Sequence, residues 1–127
     1  MRYLTVEEVI LIHKYELQRY GGVDGIRSIN LLESAVHRPS TSFGGSEIYL
    51  TVFDKAASLI QAIIKNHPFI DGNKRTAMIA GIVFLKMNYY ETSVSQKKLV
   101  ELALEIADSK LSLEDIAVFL EAHSAKS

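Results

Sequence analysis

Apolar residues recur along most of this chain at intervals of three and four, the spacing that gathers them on one face of a helix. Val9, Ile12, His13 and Leu17 follow it after Thr5, and Glu8 stands three residues beyond the threonine as its capping-box partner. A first helix is predicted from there to about Tyr20, where Gly21-Gly22 stops it. A second, shorter helix, capped by Ser28, carries Leu31, Leu32, Ala35 and Val36 to about His37. The stripe Phe53, Ala56, Ala57, Ile60, Ile63 and Ile64 predicts a third from about Leu50 to Asn66. Its end is set near His67, because Pro68 disfavours helical backbone in the residue before it.

The fourth helix is predicted to start near Asn73, with Asn73 as a favourable N-cap. From Thr76 to Leu85 it holds no charged residue, so it is apolar around its circumference and belongs at the centre of the domain. It is far shorter than the roughly 20 residues needed to span a bilayer. Two amphipathic helices follow, around Ser95–Asp108 and Ser112–His123, the second again capped by serine. Pro39 opens a polar stretch to Ser46 that suits a loop or short hairpin. Only Glu47–Thr51 and Tyr89–Ser93 alternate at all like strands. The expected fold is all-α: one compact helical bundle over residues 1–127, built around a buried central helix, with no internal repeat or linker.

Composition narrows the function. A chain of 127 residues with 48% apolar content is globular and sized for one core. Its formal net charge of −1 argues against direct nucleic-acid binding. Without cysteine there is no disulfide framework, thiol nucleophile or Cys-ligated zinc, which fits a cytoplasmic address. The N-terminus runs quickly into Glu7 and Glu8, unlike a signal peptide, and no membrane association is expected.

The near-zero charge conceals an uneven distribution. Five cations (Lys55, Lys65, Lys74, Arg75, Lys86) face one acid, Asp71, between residues 55 and 86. Six acids face one cation, Lys110, between residues 99 and 121. The positive stretch brackets the turn His67-Pro68-Phe69-Ile70-Asp71-Gly72-Asn73-Lys74-Arg75. Two cations in a first helical turn oppose the helix dipole, which favours acids there. The plain explanation is that both side chains reach into water. The chemical one is that a polyanion binds at this end, where a glycine before the helix leaves backbone N–H groups free for phosphate. Asp71 adds a hard oxygen ligand of the kind magnesium takes, and His67 an imidazole, the side chain suited to proton transfer near neutrality. Singly, His67 reads as a buried histidine, Asp71 as a turn residue, and Pro68 and Phe69 as loop anchors. Together within nine residues they favour the chemical reading.

This turn resembles the signature of the Fic/Doc family, His-Pro-Phe-x-Asp/Glu-Gly-Asn-x-Arg, and is most similar to the Doc, or death-on-curing, branch of bacterial toxins. Tyr20-Gly21-Gly22, Gly25-Ile26-Arg27 and Leu31-Leu32-Glu33-Ser34-Ala35-Val36 resemble that branch too, so the likeness covers nearly the whole chain. The resemblance implies that His67 is the general base for a target hydroxyl and that Asp71 holds Mg²⁺. It further implies that Gly72 and Asn73 form the anion cradle and that Arg75 binds a phosphate of ATP. Lys74 departs from the AMP-transferring members, which carry a second glycine there. In Doc-type proteins that change accompanies ATP bound in the reverse sense. The resemblance therefore implies transfer of the γ-phosphoryl group to a Ser or Thr hydroxyl, with AMP transfer as the alternative. It also implies elongation factor Tu as target, Ser40–Tyr49 as a flap that docks an extended target segment by strand addition, and an antitoxin as partner. No Ser/Thr-x-x-x-Glu-Gly/Asn inhibitory pattern occurs here, so inhibition is expected from that antitoxin's partly disordered segment folding on binding.

Two readings of other classes compete. The last two helices could form a helix-turn-helix, but Glu114, Asp115 and Glu121 on the candidate recognition helix would repel DNA phosphates. An inactive scaffold would leave growth arrest unchanged by His67→Ala, whereas an enzyme would lose it.

Overall fold

A computed structural model describes residues 1–127 and places six helices where the apolar stripes put them. Helix α1 spans Val6–Tyr20, with the Thr5/Glu8 capping box formed in both directions. Helix α2 spans Ile29–His37 under the Ser28 cap, and a short 3₁₀ turn, Arg38–Ser40, follows with Pro39 buried in it. Two-residue strands β1 (Ser42–Phe43) and β2 (Ser46–Glu47) pair antiparallel around Gly44-Gly45, so the polar stretch is a hairpin.

Helix α3 spans Val52–Asn66 and starts two residues later than expected, because Thr51 and Asp54 form a capping box there. Helix α4 spans Asn73–Met87, α5 spans Gln96–Ala107 under Ser95, and α6 spans Leu113–Ala122 under a Ser112/Asp115 box. Strand β3 (Tyr90–Thr92) falls in the expected alternating stretch, but its antiparallel partner β4 (Ser124–Lys126) does not. Its residues are half-buried or exposed, so no hydrophobic alternation marks them.

Helix α4 packs against α1, α3, α5 and β3 and buries eight of its fifteen residues, while Ile79, Ile82 and Val83 of the uncharged run are half-buried, so one side of it is not enclosed. Helix α3 shares the centre with it, and α2, α4, α5, α6 and the 3₁₀ turn all pack on α3. Its face of Ala56, Ile60 and Ile63 is fully buried. Gly81 lets the two central helices approach closely, since a methyl there would collide with the Ile60 side chain. Because α3 ends and α4 begins at the loop 67–72, this crossing also fixes where His67 stands relative to the start of α4. No helix is long and apolar enough to cross a membrane.

Candidate active site

The loop between α3 and α4 is held from several sides. His67 is the C-cap of α3 in left-handed backbone, φ 51° and ψ 55°, with its imidazole exposed. Arg27 donates from Nε to the His67 carbonyl and from Nη2 to the Asn66 carbonyl, each at 2.7 Å. A guanidinium on the last carbonyls of a helix satisfies orphan acceptors and suits the negative end of the dipole. The Pro68 carbonyl accepts from the backbone N–H groups of Arg27 and Ser28, and the Ile70 N–H donates to Gly25. The glycine-rich segment after α1 is thus laced to the motif loop along its length.

Phe69 is fully buried, as expected of a loop anchor. Its ring stacks on His13 of α1, centroids 3.8 Å apart and planes 6° from parallel. His13 Nε2 lies 2.8 Å from the Asp71 carbonyl oxygen. A carbonyl only accepts, so this nitrogen donates, and Nδ1 faces Asp24 at 4.0 Å.

Asn73 is not the N-cap. Gly72 is, in left-handed backbone at φ 78°, and Asn73 is the first helical residue, 4% exposed. Its amide accepts from the Phe69 N–H and donates to the Phe69 carbonyl, both at 2.9 Å. The side chain that local preference would spend on the helix end instead satisfies a buried loop peptide. The N–H groups of Asn73, Lys74 and Arg75 are consequently left without acceptors in the protein. Free N–H groups at a helix start are the kind that can bind an anion, and here no side chain competes for them.

The Asp71 carboxylate accepts from the Val23 N–H at 3.1 Å through one oxygen and from the Gly72 N–H at 2.8 Å through the other. These two donors, then the charges of Arg75 and His13, hold its carboxyl below the usual aspartate range, so it is ionised at neutral pH. Lys74 and Arg75 are exposed, but Arg75 does not simply extend into water. Its guanidinium lies 4.5 Å above the Tyr20 ring, which also carries Arg19 at 5.1 Å.

The six expected residues, His67, Asp71, Gly72, Asn73, Lys74 and Arg75, all border one cavity of about 700 Å³ that extends along α4 and α5. Asn73 borders it through backbone position, its side chain being committed to Phe69. Sequence reasoning missed His13 and Glu16. His13 fits the apolar stripe of α1, and only its distance in space from Asp71 reveals its task. No three metal-binding side chains converge as a cage. Magnesium does not require one, since it is commonly held by one or two carboxylates, waters and substrate phosphates. A single ionised, solvent-accessible carboxylate beside an anion cradle fits that ion.

The family model for the Fic/DOC family matches residues 3–85. The chain belongs to this family. It is 35% identical over 108 residues to "Toxin Doc" of Mycolicibacterium smegmatis, covering 84% of this chain and 83% of that protein. It is 30% identical over 117 residues to "Protein kinase doc" of Escherichia phage P1, covering 92% and 91%. The match to the Fic/DOC model spans the loop just described together with α1, which stacks on it and lends it His13.

Proposed function

We propose that this member of the Fic/DOC family is a cytoplasmic toxin that transfers the γ-phosphoryl group of ATP to a Ser or Thr hydroxyl of a translation factor, elongation factor Tu by resemblance. The observation that carries the reading is the meeting, in one cavity, of an exposed imidazole, an ionised carboxylate, three free N–H groups and two cations. Each has one task in phosphoryl transfer, and the three N–H groups make no hydrogen bond within the fold. That both relatives carry the name Doc, one as a toxin and one as a protein kinase, supports the same reading.

In this mechanism the free N–H groups of Asn73, Lys74 and Arg75 and the guanidinium of Arg75 hold the polyphosphate. Lys74, standing where AMP-transferring relatives have glycine, adds a point charge on the phosphates. Asp71 would hold Mg²⁺, which when bound neutralises phosphate charge. His67 takes the proton of the target hydroxyl onto a ring nitrogen as that oxygen bonds to the γ-phosphorus. The bond from phosphorus to the β–γ bridging oxygen breaks, and ADP leaves with that oxygen. The target segment would lie along the β1–β2 hairpin, whose Phe43 is 84% exposed and whose base is tied to α3 by Lys55 bonding Glu47 and the Tyr49 carbonyl.

Incubation with ATP labelled at either the α or the γ position, Mg²⁺ and purified translation factors tests the reading. Label should reach a factor from the γ position only, and His67→Ala should abolish it. Transfer from the α position would replace the kinase with an adenylyltransferase. The proposed partner in regulation is an antitoxin with a disordered segment that folds on the toxin. Harmless expression of this chain alone, with its catalytic activity intact, would remove that element.

A further inference from the structure

The cavity does not end at the phosphate cradle. Beyond Arg75, Met78, Ile79, Leu99 and Ala103 make an apolar wall, and Glu16 of α1 also lines the space. Glu16 is 4% exposed, and its Oε2 is sealed from solvent without a hydrogen-bond partner. Arg19 Nη1 stands 3.9 Å from that oxygen, beyond hydrogen-bonding distance, and its guanidinium leans over the rings of Tyr15 and Tyr20. A carboxylate in such a place is costly unless a donor reaches it. The fold brings only the half-exposed Arg19 to ion-pair distance of this oxygen, and no group hydrogen-bonds it.

We propose that Glu16 is a specificity residue for the nucleotide, accepting a hydrogen bond from an N–H or O–H of the nucleoside while the base packs on the apolar wall. The proposal rests on the ATP-dependent reading above. Polarity within the cavity supports it. Lys74, Arg75 and the free N–H groups make part of the lining anion-seeking, and Glu16 adds a carboxylate acceptor to the same lining. A nucleoside triphosphate has the matching shape: a polyanionic end and a flat, largely apolar end that bears donors. The volume of about 700 Å³ also exceeds what a phosphate chain needs and falls among small-molecule sites.

Equilibrium binding of ATP and of inorganic triphosphate to the wild type and to Glu16→Gln tests this. The variant should bind ATP on the order of tenfold more weakly, the loss of a hydrogen bond to a charged group. It should bind triphosphate no less tightly, since a repelling charge has gone. Its melting temperature should be no lower than that of the wild type, because the sealed Oε2 makes no hydrogen bond that the fold would lose. Inosine triphosphate, which lacks the amine, and 2′-deoxy-ATP identify the donor without relying on any variant. The analogue lacking the group that pairs with Glu16 should bind the wild type more weakly than ATP, and the variant equally well. Undiminished ATP binding by the variant, a parallel loss of ATP and triphosphate, or equal wild-type binding of all three nucleotides would overturn the proposal while leaving the phosphate cradle standing. If the wild type bound neither ATP nor triphosphate, the ATP-dependent reading would fall and this proposal with it.

Discussion

His67 occupies a backbone position that glycine would fill more easily. At φ 51° it closes α3 in the left-handed region, which favours glycine over any residue with a Cβ. Its ring is exposed and stacks on nothing in the core. His67→Gly should therefore stabilise the protein by about 1 kcal/mol, read as a higher urea midpoint at constant slope, while phosphoryl transfer is lost. A variant that lost both stability and activity would mean that the imidazole holds the loop rather than serves chemistry. Asp71 gives a second prediction at this scale, through pH. Its carboxyl is lowered by the Val23 and Gly72 N–H groups first, then by Arg75 and His13. A group lowered on folding contributes its full stability above its unfolded value, about 3.9 for aspartate, and loses it as pH falls through the folded one. Urea unfolding between about pH 5 and pH 2 should show this acid-side loss, and Asp71→Asn should flatten it. An unchanged acid limb in the variant would show that these N–H bonds do not favour the ionised form.

Among the elements, α1 supports the loop it touches. His13 contributes both a stacking face for Phe69 and a donor to the Asp71 carbonyl, from a ring that is 1% exposed. His13→Ala should cost about 2–4 kcal/mol, the range for opening a cavity under an aromatic ring and unpairing a buried acceptor. His13→Phe should recover the stacking share alone. Amide exchange should then rise at Ile70–Asn73 ahead of the core of α3, and protection lost equally everywhere would contradict a local role. Such contacts explain which parts of the fold were legible. The helices could be read because each carries its own stripe and its own cap, as at Thr5, Ser28 and Ser112. The motif could be read because its residues are contiguous. The N-cap of α4 could not, because the need of the buried Phe69 peptide outweighs the capping preference of Asn73, and that need exists only after folding. His13 and Glu16 carry the spacing of core residues, and only space brings one to Asp71 and the other to the cavity. Strand β4 is too short and exposed to leave a pattern.

At the scale of the whole molecule, site and core share one dimension, the separation of α3 from α4. His67 ends one helix, the cradle begins the other, and Gly81 sets their approach from inside the bundle, where an added methyl would meet Ile60. Gly81→Ala, although a better helix former at that position, should cost about 1–3 kcal/mol through overpacking. On the proposed mechanism it should also weaken transfer, because the His67 imidazole would move away from the cradle by a few tenths of an ångström, a displacement to which near-attack geometry is sensitive. Ile60→Val removes Cδ1, one of the two Ile60 atoms in the way, and leaves Cγ1 to be relieved by a change of rotamer. The double variant should recover both the melting temperature and turnover relative to Gly81→Ala, which makes the two substitutions non-additive in stability and in rate. Recovery of stability without turnover would mean that the cradle is positioned by its own loop alone, through Arg27, His13 and Asn73. Recovery of both would show that the same close packing that holds the bundle together also spaces its chemistry.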